Sequence, residues 1–209
     1  RDENTPRRLA LGHDMRVAVD AGQLRIVYQP KISLADGHVT GVECLCRWEH
    51  PTFGLVMPDE FIPLAERTGA IGELTQWMLS EAVAQCEPWQ AIGHPWGVAI
   101  NVSVRNLLDA ELVAIVSGAL ARSSIAPSDL TLEITETHVM SDSVRTTHVL
   151  EELAALGIRL SIDDFGTGYS SLAYLQRLPV DEVKVDKSFG RALAVEGGAD
   201  AIVRSVLDL

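Results

Sequence analysis

The sequence lacks several features that mark large classes of protein. It has only three cysteines and no CxxC pair, which argues against a disulfide framework or a zinc site and favours a reducing environment. No apolar run approaches the roughly 20 residues that span a bilayer, and the N-terminal residues contain no signal-peptide segment. We therefore expect a cytoplasmic domain, either independent or the cytoplasmic part of a membrane-anchored protein.

Positive charge is also scarce. The 17 Lys and Arg residues are outnumbered by 29 Asp and Glu residues, which gives a net charge of −12. Such a chain repels polyanions at long range, so we expect no DNA partner, and a small anionic ligand would need bridging cations. The sequence also has no GxSxG elbow, no closely paired histidines and no GK[ST] after its glycines. These absences disfavour a covalent nucleophile and a phosphate-binding loop.

The chain does contain a regular succession of strand-like and helix-like apolar patterns. Up to residue 92 we predict a helix over 6–21, strands over 24–29 and 32–48, a helix from 59 to a break at Gly69, and a helix over 71–92. Beyond it we predict strands near 97–102, 130–135, 159–163 and 182–185, separated by helices near 110–122, 141–156 and 170–177. Asp36-Gly37 is a hairpin turn signal, so the first two strands should be antiparallel. The later alternation is typical of a parallel sheet or barrel.

Polar side chains recur at or near the C-terminal ends of these strands, at Asn101, Glu133, Glu136, Asp163, Asp164, Lys184 and Asp186. In a barrel these ends meet on the face that carries the active site. Adjacent carboxylates such as Asp163 and Asp164 repel each other unless a cation separates them, and oxygen-rich sites suit Mg²⁺ or Mn²⁺. Each residue alone also has a structural interpretation: a capped turn for the Asp pair, a satisfied amide for Asn101 and a salt bridge for Lys184.

The strand over 32–48 adds two candidates through its alternation. Glu43 and Arg47 share one face, whereas Cys44, Cys46 and Trp48 share the other. If the second, apolar set packs under a helix layer, Glu43 and Arg47 point into the barrel and become site residues. The alternative is a solvated strand face, which is where most Glu and Arg residues lie.

Five motifs resemble those of one known family in order and approximate spacing. They are Glu43-Cys44-Leu45-Cys46-Arg47-Trp48, Asn101-Val102-Ser103, Leu132-Glu133-Ile134-Thr135-Glu136, Asp163-Asp164-Phe165-Gly166-Thr167-Gly168 and Val183-Lys184-Val185-Asp186. By these motifs the chain is similar to EAL domains over nearly its whole length. The resemblance implies an α/β fold, a modified (β/α)8 TIM-type barrel with an antiparallel first strand. It also implies two-metal hydrolysis of cyclic-di-GMP to linear pGpG.

The resemblance further implies a role for each site residue. One divalent ion, Mg²⁺ or Mn²⁺, would be held by Glu43, Asn101, Glu133 and Asp163, and a second by Asp163 and Asp164. Lys184 would position the attacking water, and Arg47 would contact a substrate phosphate. Glu136 would anchor the loop after Asp164, and Gln29 would line the ligand cleft. The catalytic residues would then be Lys184, Glu43 and Asp163.

Two other functions compete with this one. The first is a catalytically inactive cyclic-di-GMP receptor or regulatory EAL module, and the second is a different metal-dependent barrel hydrolase. All the metal ligands named above are intact, which favours the enzyme. The family resemblance also suggests a homodimer, with a sensor or a diguanylate cyclase (GGDEF) domain upstream. We expect residues 1–22 to be a leading helix or linker from such a domain and residues 23–209 to be the barrel domain.

The sequence departs from the family pattern in two places. Cys44 stands where the family signature has Ala, and alternation directs its side chain away from the metals into the packing. The chain also ends in the helix after the sixth predicted strand, so the last two strands of the barrel are absent from this chain. We therefore expect an isolated segment 1–209 to have very low activity.

Overall fold

The computed structural model describes residues 5–136, 143–166 and 175–186. The strands there are β1 (Leu24–Ile32), β2 (Val39–His50), β3 (Gly54–Val56), β4 (Gly97–Asn101), β5 (Leu130–Thr135), β6 (Arg159–Phe165) and β7 (Glu182–Val185). The α-helices are α1 (Pro6–Asp14), α2 (Pro58–Thr68), α3 (Ile71–Ala91), α4 (Val104–Leu107), α5 (Leu112–Ala121) and α6 (Ser143–Ala155). In this part of the chain, none of the helices combines the length and apolar character that crossing a membrane requires.

The described strands form one sheet in the order β1-β2-β4-β5-β6-β7, with β3 paired to β2. The β1–β2 pair is antiparallel, as predicted, and each step from β2 through β4, β5 and β6 to β7 is parallel. The turn between β1 and β2 contains Gly37, whose φ of 75° suits glycine, and Asp36 accepts a hydrogen bond from the His38 amide at 3.2 Å. Parallel pairing brings the C-terminal ends of β4 to β7 to one side of the sheet.

The core lies between the sheet and the helices. Its fully buried strand residues include Ile100, Leu132, Ile134, Leu160 and Ile162. Along β5 and β6 these residues alternate with polar ones, whereas Ile100 of β4 lies between Ala99 and Asn101. On β2, the indole of Trp48 is fully buried. Because a buried N–H needs a partner, its Nε1 donates to Oε1 of Gln23 at 2.9 Å. The apolar face of β2 therefore packs into the core, as its alternation predicts.

The segment that precedes β1 differs from the prediction. The helix predicted over 6–21 ends at Asp14, and residues 15–22 form turns. The apolar residues at helical spacing, Leu9, Met15, Val17 and Val19, suggested a longer helix, but the turns bury Met15 and leave Val17 exposed. Arg7 of α1 forms two hydrogen bonds to Glu60 of α2, at 2.7 and 3.0 Å, so the leading helix is attached to the first helix after β3.

Most other elements match their predicted ranges to within a few residues, but β1 continues to Ile32 and the strand predicted over 32–48 begins only at Val39, because residues 33–38 form the connecting turn. The short strand β3 and the single-turn helix α4 were missed, because three or four residues carry too little periodicity to recognise. The predicted helix over 170–177 falls largely outside the described residues. Gly168 and the helix predicted at the end of the chain also lie outside them.

Candidate functional site

The predicted site residues occupy neighbouring strands of the sheet. Asn101 ends β4 and pairs with Glu133 of β5, while Thr135 of β5 pairs with Asp163 of β6. Glu43 lies on β2, opposite Ala99 of β4. Each side chain faces away from the buried apolar set on its own strand, so the alternation directs all of them toward the interior of the curved sheet.

The ammonium of Lys184, on β7, lies between three carboxylates. Its Nζ is 2.7 Å from Oε2 of Glu133, 3.1 Å from Oε2 of Glu43 and 3.2 Å from Oδ2 of Asp163. Asn101 donates from Nδ2 to Oε1 of Glu43 at 2.9 Å. We call these five residues the Lys184 cluster. They come from five different strands, so their meeting depends on the fold rather than on local sequence.

Burial and neighbouring charges shift the pKa values of the residues in the cluster in opposite directions. Burial raises the pKa of Glu133, whose side chain has no exposed surface, although Lys184 pulls against that rise. For Glu43, burial also acts upward, but the Asn101 amide and Lys184 outweigh it and lower the pKa. The pKa of Lys184 is raised, because its carboxylate partners overcome the effect of burial. Lys184 is therefore held as an ammonium ion.

The cluster has the donor chemistry of a divalent cation site. Its three carboxylates carry more negative charge than one ammonium neutralises, and carboxylate and amide oxygens are the ligands that Mg²⁺ and Mn²⁺ prefer. Across residues 5–136, 143–166 and 175–186, no three His, Cys, Asp or Glu side chains are grouped closely enough to hold one ion as they stand. The carboxylates are instead oriented toward Lys184, whose ammonium lies between them. The type and number of these ligands fit a divalent ion, although their present arrangement is around the ammonium.

Asp164 differs from Asp163 in direction and environment. Asp163 is partly buried within the cluster, whereas Asp164 is exposed and has a φ of 55°. Positive φ is uncommon for residues other than glycine and is tolerated best by Asn and Asp. The Asp164 amide donates to Oδ1 of Asp163 at 2.9 Å, and the β6–β7 register shifts between Ile162 and Phe165. The backbone of β6 is therefore irregular at this point, and the two adjacent carboxylates have different surroundings.

Glu136 lies beside the irregular part of β6 that contains Asp164. Its carboxylate is almost fully buried, and Oε2 accepts a hydrogen bond from the Gly166 amide at 2.7 Å. A buried carboxylate needs such a donor, and the bond ties the first residue after β6 to the end of β5.

Arg47 and Gln29 stand beside the cluster. Arg47, four residues beyond Glu43 on β2, donates from Nη1 to the carbonyl of Cys46 at 2.8 Å. Gln29 is exposed on β1, directly opposite Glu43 in the antiparallel register. Above β2, a cavity of about 250 Å³ separates the strand from α2 and α3, and Leu45, Ile62 and Asn101 contribute to its lining.

One charged residue at the site was missed by the sequence analysis. Lys31, on β1, places its Nζ 2.8 Å from Oε1 of Glu182 and 3.4 Å from Oε1 of Glu133. The signal that could have identified it is alternation, because Lys31 lies two residues after Gln29 on the same face of β1.

The comparisons with known proteins agree with this architecture. The family model described as "EAL domain" matches residues 13–209. The chain belongs to the EAL domain family. The predicted family is therefore confirmed.

Curated relatives include two proteins of Pseudomonas aeruginosa. The bifunctional diguanylate cyclase/cyclic di-GMP phosphodiesterase MucR is 46% identical over 207 residues, covering 99% of this chain and 30% of the relative. The cyclic di-GMP phosphodiesterase NbdA is 47% identical over 182 residues, covering 87% and 23%. The chain thus spans less than a third of the length of either relative.

A solved structure described as the PaMucR phosphodiesterase in complex with c-di-GMP superposes with a TM-score of 0.89 at 46% identity. The superposition covers 95% of this chain and 81% of the PaMucR chain. A structure of the EAL enzyme Bd1971 with cAMP and cyclic-di-GMP bound gives a TM-score of 0.86 at 26% identity, covering 97% and 56%. These likenesses, with the antiparallel β1 and the parallel strands that follow, confirm the predicted modified barrel class.

Proposed function

We propose that this EAL domain hydrolyses cyclic-di-GMP to linear pGpG. The observation that carries the proposal is the Lys184 cluster, in which three carboxylates, an amide and an ammonium from five strands converge at one end of a barrel-type sheet. In the reaction, one water adds across one phosphodiester: its oxygen bonds to phosphorus, and the 3′ oxygen of the ribose leaves and takes up a proton. The names of the two Pseudomonas relatives and the bound ligand in the PaMucR structure support this substrate.

The donor set suits two divalent ions, Mg²⁺ or Mn²⁺. Glu43, Asn101, Glu133 and Asp163 would hold the first, and Asp163 and Asp164 would hold the second. When bound, such ions lower the pKa of water and stabilise a departing oxygen. They would also let a chain of net charge −12 bind a dianion, because the local field then belongs to the cations.

The other side chains would bind and orient the substrate. Lys184, held as an ammonium, would position the attacking water through its donor hydrogens. Arg47, on the same face as Glu43, would turn from the Cys46 carbonyl to a phosphate, and Gln29 would line the cleft opposite Glu43. Glu136 would keep the loop after β6 in place through the Gly166 amide.

We also propose partners for the whole protein. The family resemblance favours a homodimer, and MucR combines a diguanylate cyclase with its phosphodiesterase, as its name states. Residues 1–22 would then connect the barrel domain, 23–209, to an upstream sensor or GGDEF domain. In such a protein the phosphodiesterase would work in the cytoplasm.

The test is a hydrolysis assay on the whole protein with cyclic-di-GMP and either Mg²⁺ or Mn²⁺, analysed by chromatography for pGpG. An Asp163→Asn variant, which keeps the shape of the side chain and removes its charge, is the matched control. We expect pGpG from the wild type and a loss of about 1,000-fold in the variant. Binding of cyclic-di-GMP without pGpG formation by the wild type would instead identify an inactive receptor, and cleavage of other phosphate esters alone would identify a different hydrolase.

A further inference from the structure

Glu133 has a second cation that the proposed mechanism does not use. Its side chain is fully buried, and its two oxygens face different lysines: Oε2 lies 2.7 Å from Lys184 and Oε1 lies 3.4 Å from Lys31. A buried carboxylate is costly unless its oxygens are partnered. The orientation of Glu133 is therefore fixed from two sides, by Lys184 on the side of the cluster and by Lys31 on the opposite side.

Lys31 is itself held by a second carboxylate. Oε1 of Glu182 is 2.8 Å from its Nζ, closer than Glu133 is. Glu182 lies two residues before Lys184 on β7, so the two side chains share one face of the strand in successive layers. Glu182 and Lys31 thus lie one layer below the Lys184 cluster, and Glu133, a member of that cluster, connects the two layers.

This layer connects strands that are far apart in the sheet. Lys31 belongs to β1 and Glu182 to β7, which stand at opposite ends of the strand order, and Glu133 lies on β5 between them. The ion pairs therefore cross the interior of the curved sheet. The backbone opposite Lys31 is Gly41, where an added Cβ would lie only 2.9 Å from the carbonyl oxygen of Gly97, so the strands pack closely at this level.

We propose that Lys31 is a positioning residue for the metal site: anchored by Glu182, it holds Oε1 of Glu133 so that the other oxygen of this carboxylate is presented to the divalent ion. The inference rests on the proposed function, since it takes Glu133 to be a metal ligand. Groups that orient metal ligands in this way typically contribute 10- to 100-fold to metal affinity or activity.

A simpler electrostatic role predicts the opposite result. Lys31 adds a positive charge near the ion, so if it acted only by repulsion, its removal would tighten metal binding. If it only stabilised the fold, its removal would lower the unfolding midpoint and leave the metal dissociation constant unchanged. The sign of the change in metal affinity therefore separates the three roles.

The experiment measures the Kd of Mn²⁺ for the whole protein by isothermal titration calorimetry, without substrate, alongside kcat/KM for cyclic-di-GMP. We expect Lys31→Met to weaken Mn²⁺ binding about 10- to 100-fold, Lys31→Arg to restore most of the loss, and Glu182→Gln to weaken binding a few-fold. Arg122→Met removes the same charge from an exposed position at the end of α5 and should leave Kd unchanged.

Unchanged or tighter Mn²⁺ binding in a folded Lys31→Met protein would overturn the inference, and so would a failure of Lys31→Arg to restore binding. Thermal melting checks that each variant is folded. If Lys31→Met does not fold, the comparison of Glu182→Gln with the wild type decides in its place, and an unchanged Kd in Glu182→Gln refutes the proposal. A wild type that binds Mn²⁺ but does not cleave cyclic-di-GMP would refute the proposed function and leave this test in force.

Discussion

Strand β2 presents two different environments on its two faces. Glu43, on the inner face, contacts Lys184 and Asn101, and its side chain keeps 19% of its surface exposed. On the outer face, Cys44 and Trp48 are 1% and 0% exposed, and burial raises the pKa of the Cys44 thiol to about 12. Consecutive residues therefore serve different purposes: the inner face contributes charge to the site, and the outer face contributes apolar volume to the core.

The difference implies that activity and stability depend on alternate residues of one strand. The inner carboxylates repel one another and are offset by cations, so we expect them to add little to the free energy of unfolding. The outer side chains are close-packed and take no part in the chemistry. The Cys44 thiol, with such a high pKa, is unreactive at neutral pH. Substitutions on the two faces should separate the two properties.

The largest effect should come from Glu43→Gln on the inner face. The variant keeps the size of the side chain but removes a charge that faces Lys184 and the proposed metal. We expect kcat/KM for cyclic-di-GMP to fall about 1,000-fold, while the free energy of unfolding changes by less than about 1 kcal/mol. Steady-state kinetics and urea unfolding of the same preparation measure the two quantities. A folded variant with near wild-type turnover would contradict the assignment of the inner face of β2 to the active site.

The next largest effect should come from Trp48→Ala on the outer face. This change leaves a cavity beside Phe61, whose ring is 6.0 Å from the indole, and removes the hydrogen bond to Gln23. We expect a loss of about 3–5 kcal/mol of stability by urea unfolding. At a temperature where the variant is still folded, kcat/KM should stay within several-fold of wild type. A large loss of activity without a loss of stability would contradict the assignment of this face to packing.

The smallest effect should come from Cys44→Ala, which restores the residue of the family signature. The change removes one buried sulfur atom, so we expect a loss of about 1 kcal/mol in urea unfolding and activity within about twofold of wild type. Because Glu43 and Cys44 are adjacent, measuring Glu43→Gln beside Cys44→Ala is the most stringent test of the difference between the two faces of β2. A drop in activity of 100-fold or more for Cys44→Ala would show that the outer face also acts on the site.

Much of the fold could be predicted because the determining signals are local. Alternation along β2 placed Cys44 and Trp48 in the core, Asp36-Gly37 marked the turn, and the apolar runs of β5 and β6 marked buried parallel strands. Glu133, an acid between Leu132 and Ile134, stood out for the same reason. Such patterns depend only on neighbours within a few residues of the same chain segment.

The parts that could not be predicted depend on distant partners or on backbone geometry. Alternation places Lys31 on the same face of β1 as Gln29, but its contacts with Glu133 and Glu182 depend on the fold that brings β1, β5 and β7 together. The φ of 55° at Asp164, inside β6, accompanies the shift in register with β7. The end of α1 at Asp14 was not predicted either, because the turns that follow bury Met15 but leave Val17 exposed.

The ammonium of Lys184 has a consequence for how the protein is made. Its contact with Glu43 joins residues 141 positions apart, and the pair Lys31 and Glu182 joins residues 151 positions apart. The strand β7 must therefore be synthesised before Glu43, Glu133 and Asp163 can share the ammonium of Lys184, and contacts so distant in sequence form slowly. Until then, the repulsion between these carboxylates disfavours their close approach, so we expect the Lys184 cluster to assemble late in folding.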